Sequence, residues 1–262
     1  MSGKDIWNDL VKLRQNAPLV HNITNYVVMN ISANALLAIG ASPVMAHAPQ
    51  EVAEMVNIAS SLVINIGTLS DKWIEAMTLS MRAAAIKSIP IIFDPVGAGA
   101  TTYRTKTCID LLTETRPSVI RGNASEIMAL LDSEIQTKGV DSAANATDAE
   151  VAAISLAKKY NCVVVVSGAT DLITDGNKRN LVNNGHAMMP KVTGLGCTAT
   201  AIIGAFAAVN TDTMAAATNA MATMGICGEL AAEMSAGPAS LQMNFIDTLY
   251  TLDEQQIIRT LR

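Results

Sequence analysis

The stretch "VTGLGC" at residues 192–197 sets two glycines ahead of a cysteine, where a strand-like run passes into a helical one. A helix that begins with small residues offers unpaired N–H groups and a partial positive charge to an anion. The amides of Gly194, Leu195, Gly196 and Cys197 could meet a phosphoryl group carrying developing charge. The same glycines would also serve tight packing of a helix on a sheet. Cys197 is either a buried, inert thiol or one whose pKa falls below the usual ~8.5 at the helix start.

Two further stretches carry candidate chemistry. In "DPVGAGAT" (94–101) a carboxylate precedes a Pro-bounded, glycine-rich turn. Asp94 is either a turn aspartate or a ligand near a divalent cation. No Gly-Lys-Ser or Gly-Lys-Thr follows, so this is not the phosphate loop of the common nucleotide-binding fold. In "RGNASEI" (121–127) Asn123 and Glu126 have the spacing of a capping box. Alternatively they order water around Mg²⁺ while Arg121 meets a nucleotide phosphate. His21, His47 and His186 are scattered without zinc spacing, and no Ser-His-Asp arrangement is visible.

Composition limits what these residues can serve. Of 262 residues, 50% are hydrophobic, 16% charged and 3% aromatic, so the core is aliphatic, with 14 Met. A net charge of −5 with no Lys/Arg run argues against nucleic-acid binding. No window approaches the roughly 20 apolar residues of a membrane span. The N-terminus, "MSGKDIWNDLVKLRQ", is amphipathic and lacks a signal core. The 4 cysteines show neither metal nor disulfide-framework spacing. A reduced, cytoplasmic protein is expected.

Positioning these groups falls to alternating strands and helices. Helical periodicity over 4–16 precedes a strand at 18–24, a helix over 25–40 capped by Gly40, and a strand at 42–47. Then come a helix over 49–60 with Pro49 at its start, a strand at 61–68, a helix over 70–88, a strand from 90 breaking into glycines, a strand at 118–123 and a helix at 124–131. The polar stretch 132–148 reads as a surface excursion. A helix near 148–160 leads to three closely spaced strands in "CVVVVSG", "DLITDG" and "NLVNNG", read as antiparallel neighbours. Beyond Cys197 the chain is nearly all helix, ending in one at 253–261. Such alternation gives a mostly parallel sheet covered on both faces, here as one domain over 1–262. Ligands of open α/β sheets sit beyond the strands' carboxyl ends, where six polar or glycine clusters fall, at 22–25, 65–68, 94–98, 121–126, 167–170 and 193–197.

In order, "HNITNYVVMN", "ANALLAIGASPVM", "INIGTL", "DPVGAGAT", "RGNASEI" and "VTGLGC" resemble the hydroxyethylthiazole kinase family of the ribokinase-like superfamily, over residues 15–245. Sugar kinases of that superfamily usually carry Gly-Ala-Gly-Asp where this chain has Gly194-Leu195-Gly196-Cys197. The resemblance implies a three-layer α/β/α fold and Mg²⁺-assisted phosphoryl transfer from ATP. The acceptor would be the primary alcohol of 4-methyl-5-(2-hydroxyethyl)thiazole, and the product would feed thiamine biosynthesis or salvage. It also implies a homotrimer with sites between subunits.

Residue roles follow by the same resemblance. Asn25, Val27 and Met45 would line the thiazole pocket, joined by Gly194 of a neighbouring subunit. Arg121, Asn123 and Ser167 would contact ATP, Asp94 and Glu126 would act on Mg²⁺ largely through water, and Cys197 would be the base. Ser167 stands where Thr is common, and Leu195 where a smaller or polar residue is frequent. Two other readings use the same fold. One is an ATP-dependent dehydratase repairing hydrated nicotinamide cofactors, which relies on an Asp at the Cys197 position. The other is a non-catalytic nucleotide or thiazole sensor, which would keep the pocket and abandon the metal and the base, whereas Asp94, Glu126 and the glycine turn are intact here.

Overall fold

The computed structural model describes residues 1–132 and 146–262. Most of the 132–148 excursion therefore lies outside the described residues. The chain runs α1 (Gly3–Asn16), β1 (Leu19–Ile23), α2 (Met29–Ile39), β2 (Ser42–Val44), α3 (Val52–Ile58), β3 (Ser61–Asn65), α4 (Asp71–Lys87), β4 (Ile91–Asp94), α5 (Thr102–Glu114), β5 (Val119–Asn123) and α6 (Ala124–Asp132). It continues with α7 (Ala146–Tyr160), β6 (Val163–Ser167), β7 (Asp171–Thr174), β8 (Arg179–Val182), α8 (Leu195–Ala207), α9 (Thr213–Glu233), α10 (Pro238–Thr251) and α11 (Glu254–Thr260).

All the strands join one sheet in the order β2-β1-β3-β4-β5-β6-β7-β8. Neighbours from β2 through β6 are parallel, and β6, β7 and β8 form the expected antiparallel meander. Central strands such as β3 and β4 are buried along their whole length, which is why they read as continuous apolar runs rather than alternating ones. Side chains two apart share a face. Val20, Val63, Ile92, Val119 and Val165 pack with α1, α2, α8, α9 and α10 on one side. Ile23, Leu62, Ile64, Phe93, Ile120 and Val164 pack with α3 to α7 on the other. The result is a three-layer α/β/α fold.

Several boundaries differ from the sequence reading. α2 starts at Met29, so the segment from Thr24 to Val28 is free to form the turn after β1. Gly40 ends α2 with φ 105°, as its type foretold. Pro49 sits in a turn ahead of α3, not on its first helical residue. α5 had no counterpart in the periodicity, because its Thr-rich sequence is a poor helix former. Thr101 accepts the Arg104 N–H at 3.2 Å to cap it, and Thr107, Cys108, Leu111 and Leu112 turn inward. No strand leads into "GLGC"; a 3₁₀ turn at Met189–Lys191 does. Among the described residues no helix is long and apolar enough to cross a membrane. All 4 cysteines are free thiols.

Candidate active site

The site follows from strand parity. Each central strand that carries an apolar residue on the α8 face carries a polar one two positions later. The pairs are Val20 and Asn22, Val63 and Asn65, Ile92 and Asp94, Val119 and Arg121, and Val165 and Ser167. The polar members therefore continue that face toward the strands' carboxyl ends. There they meet the N-terminus of α8.

Gly194 precedes α8 with φ 93° and no side chain caps the helix. Any Cβ on Gly194 would also lie 3.0 Å from Val28 and Ile31 side-chain carbons. The first helical bond runs from the Thr198 N–H to the Gly194 carbonyl at 2.8 Å. The amides of Leu195, Gly196 and Cys197 thus have no intrahelical acceptor. A Cβ on Gly196 would stand 3.0 Å from Arg121 Nη1, so a guanidinium lies directly against this turn.

Arg121 donates from Nη2 to Ser167 Oγ at 2.6 Å, and its Nη1 is 4.0 Å from Asp94 Oδ2. Asp94 is fully buried. Its Oδ2 accepts from Asn65 Nδ2 at 2.8 Å and from Thr200 Oγ1 at 2.7 Å, while Oδ1 has no partner. A buried carboxylate oxygen left without a partner is costly. Thr200, one turn after Cys197, was not singled out from the sequence. Its helical spacing from Gly196 and Cys197 is the signal that could have found it.

One chain of amides links this carboxylate to the thiol. Because Asn65 Nδ2 must donate to Asp94, its Oδ1 faces outward and accepts from Asn25 Nδ2 at 2.9 Å and from the Gly67 N–H at 3.0 Å. Asn25 Nδ2 also reaches Cys197 Sγ at 3.5 Å. The sulfur therefore faces a donor. Even so, the thiol is not acidified as the helix start led one to expect. Burial, followed by the nearby Asp94 charge, pushes Cys197 up to about 11. Desolvation outweighs the helix terminus here. Asn25 and Cys197 thus meet within one chain.

Asn123 and Glu126 form the capping box. The Glu126 N–H donates to Asn123 Oδ1 at 2.9 Å, and the Asn123 N–H to Glu126 Oε2 at 2.8 Å. Glu126 Oε1 accepts the Gly97 N–H at 2.8 Å, tying the turn after β4 to the start of α6. Arg104, from the unforeseen α5, donates to the carbonyls of Ile66, Gly67 and Val96 at 3.2, 2.8 and 2.8 Å. It fastens the turns after β3 and β4 together.

The Val27 N–H donates to Asn25 Oδ1 at 3.1 Å, and the residues after β2 run beside β1, where the Ala46 carbonyl meets His21 Nε2 at 2.8 Å. Val27 is 65% exposed. Met45 follows the edge strand β2, three interstrand spacings from β4, about 14 Å at ~4.8 Å each. On the other flank a cavity of about 630 Å³ opens from Arg121, Asn123, Ser167 and Gly196 toward Met189, Pro190, Met221 and Met224. One end is polar and cationic, the other apolar, as a nucleotide requires.

Burial also raises Asp94 to about 6, above the usual ~3.9. The folded protein then holds this proton more tightly than the unfolded chain between about pH 4 and pH 6. Stability from this group is highest at the acid end of that window, falls as pH rises through it and is level above. Asp94→Asn is expected to show a shallower fall in melting temperature from about pH 4 to pH 7 than the parent, by a few degrees. Parallel melting curves for the two proteins would refute this.

An uncapped helix start, an arginine and a buried carboxylate meet at the strand ends, and the chain's relatives make it a kinase. A ribokinase-like superfamily protein from Enterococcus faecalis shares the fold alone, with TM-score 0.69 and 14% identity over 98% of this chain and 95% of that one. The hydroxyethylthiazole kinase family matches residues 10–255. A hydroxyethylthiazole kinase of Syntrophus aciditrophicus is 55% identical over 100% of this chain and 97% of its own. The structure of a hydroxyethylthiazole kinase protein from Pyrococcus horikoshii superposes with TM-score 0.91 at 43% identity, covering 98% of this chain and 96% of that one. The chain belongs to the hydroxyethylthiazole kinase family.

Proposed function

We propose that the chain transfers the γ-phosphoryl group of ATP to the primary alcohol of 4-methyl-5-(2-hydroxyethyl)thiazole. The product is the thiazole phosphate used in thiamine biosynthesis or salvage. One observation carries the residue assignment. The uncapped start of α8, Arg121 and the open Asp94 oxygen converge where the cavity meets the strand ends. The whole chain, 1–262, works as one kinase domain, in the cytoplasm.

Phosphoryl transfer depends mostly on positioning and on stabilising charge. Amides of residues 194–197 receive the moving phosphoryl oxygens, and Arg121, held by Ser167, meets the nucleotide phosphates. Asn123 lines the same cavity. Mg²⁺ suits the oxygen donors present. Asp94 offers an unpartnered oxygen, and Glu126 stands across the glycine turn with each oxygen already taking one N–H. Among the described residues no three His, Cys, Asp or Glu side chains could hold an ion by themselves. The ion would be held by phosphates, with the two carboxylates acting largely through water. Bound, it neutralises phosphate charge.

Asn25 orients the acceptor hydroxyl beside Cys197, which takes the hydroxyl proton late. With its thiol held up to about 11, Cys197 is mostly protonated near neutral pH and accepts the hydroxyl proton only in its small thiolate fraction, a scarcity this chemistry tolerates because positioning and charge stabilisation dominate. Val27 and Met45 line the thiazole ring. Exposure of Tyr26, Val27 and Leu37 supports a homotrimer whose sites lie between subunits.

The test uses Cys197, with ADP release measured from protein, Mg²⁺-ATP and the thiazole alcohol. Cys197→Asp is expected to retain activity or exceed the parent, since a carboxylate accepts the same proton. Cys197→Ala should lose about a hundredfold, the usual weight of a general base. Two dead variants with a phosphorylated thiol trapped in the parent would mean covalent catalysis instead. No ADP from the parent would end the proposal.

A further inference from the structure

Asp171 opens β7 with only 8% of its surface exposed, and it lines the 630 Å³ cavity one strand beyond Ser167. Its Oδ1 accepts the Gly168 N–H at 3.0 Å and so closes the turn between β6 and β7. Its other oxygen accepts no hydrogen bond from any described residue. Closing such a turn is equally within the power of Asn or Ser. A buried negative charge is a poor choice for it in a cavity that must also admit phosphates. The second oxygen opens to the cavity, where it is free to take a donor from a bound ligand.

The strand order says which part of the ligand that is. Asp94, Arg121, Ser167 and Asp171 stand on four successive strands, β4 to β7. At ~4.8 Å per spacing, Asp171 lies about 14 Å from Asp94, while the charge of Arg121, which bonds Ser167 on the neighbouring strand, still reaches it. Phosphates gather at Arg121 and the start of α8, and a carboxylate would repel them. The apolar wall of Met189, Met221 and Met224 suits a base. What remains is the uncharged part of a nucleotide that joins the two, the ribose, whose paired hydroxyls are donors.

We infer that Asp171 accepts hydrogen bonds from the ribose hydroxyls and so selects nucleotides with an intact diol. This rests on reading the cavity as the nucleotide site. Its test is binding without acceptor or turnover, by calorimetry with ADP and with dideoxyadenosine diphosphate, which lacks both hydroxyls. The parent should bind ADP about tenfold or more tighter, the weight of hydrogen bonds to a charged group. Asp171→Ser and Asp171→Asn keep an acceptor for Gly168, and in both the preference should collapse to about unity through weaker ADP binding. A parent that binds the two ligands alike overturns the assignment whether or not the variants fold. So does an equal loss for both ligands in the variants, which would leave Asp171 only its turn. A changed preference between ADP and inosine diphosphate, with the diol preference intact, would mean that Asp171 reads the base instead. If ADP fails to bind the parent at all, the nucleotide reading of the cavity falls as well.

Discussion

Asp94→Asn is expected to lower kcat and kcat/KM together, by about a hundredfold to a thousandfold, in a protein that remains folded. Asn has nearly the shape of Asp, and its amide oxygen still accepts from Asn65 and Thr200 as Oδ2 does. What disappears is the charge, which Arg121 Nη1 faces at 4.0 Å from Oδ2, and the open oxygen Oδ1, which an amide N–H pair replaces. Ground-state binding of the thiazole alcohol has no reason to change, because Asn25 and Cys197 stay where they are. The loss should therefore appear in the transition state rather than in KM. Circular dichroism establishes the fold and steady-state ADP release the rates. Unaltered turnover in a folded variant would remove Asp94 from the metal assignment.

Two inactive variants are expected to restore one another. Met45→Arg disables the thiazole side and Cys197→Ala the phosphoryl side, so each homo-oligomer should be nearly dead. Within one chain Asn25 belongs with Cys197, so Met45 is the residue that tests sharing. If each site takes Met45 from one subunit and Cys197 from the next, co-refolding in equal amounts leaves both halves intact at about one site in four, ½ × ½. Activity near a quarter of the parent is the expected reading, with light scattering reporting the oligomer. A mixture as inactive as its components, despite mixed trimers, would place each site within a single chain.

The sequence by itself determined the layers and the edge of the sheet that holds the site. Short continuous apolar runs alternating with period-three-to-four ones are local signals, and they specify strands covered on both faces. The valine or isoleucine placed two residues before Asn65, Asp94, Arg121 and Ser167 even indicates the shared face. The capping box at Asn123 and Glu126 was equally readable, since its partners are 3 residues apart. What only the tertiary structure decided depends on groups far apart in the chain. Asn25 touches Cys197 across 172 residues and Thr200 touches Asp94 across 106. Arg104 acts from a helix whose weak propensity hid it, because packing of Cys108, Leu111 and Leu112 rather than local preference stabilises it. The acidity of Cys197 was left open between two readings for the same reason. A helix start is visible in sequence and lowers a thiol pKa. The burial and the neighbouring carboxylate that raise it to about 11 exist only once the strands and α8 have come together.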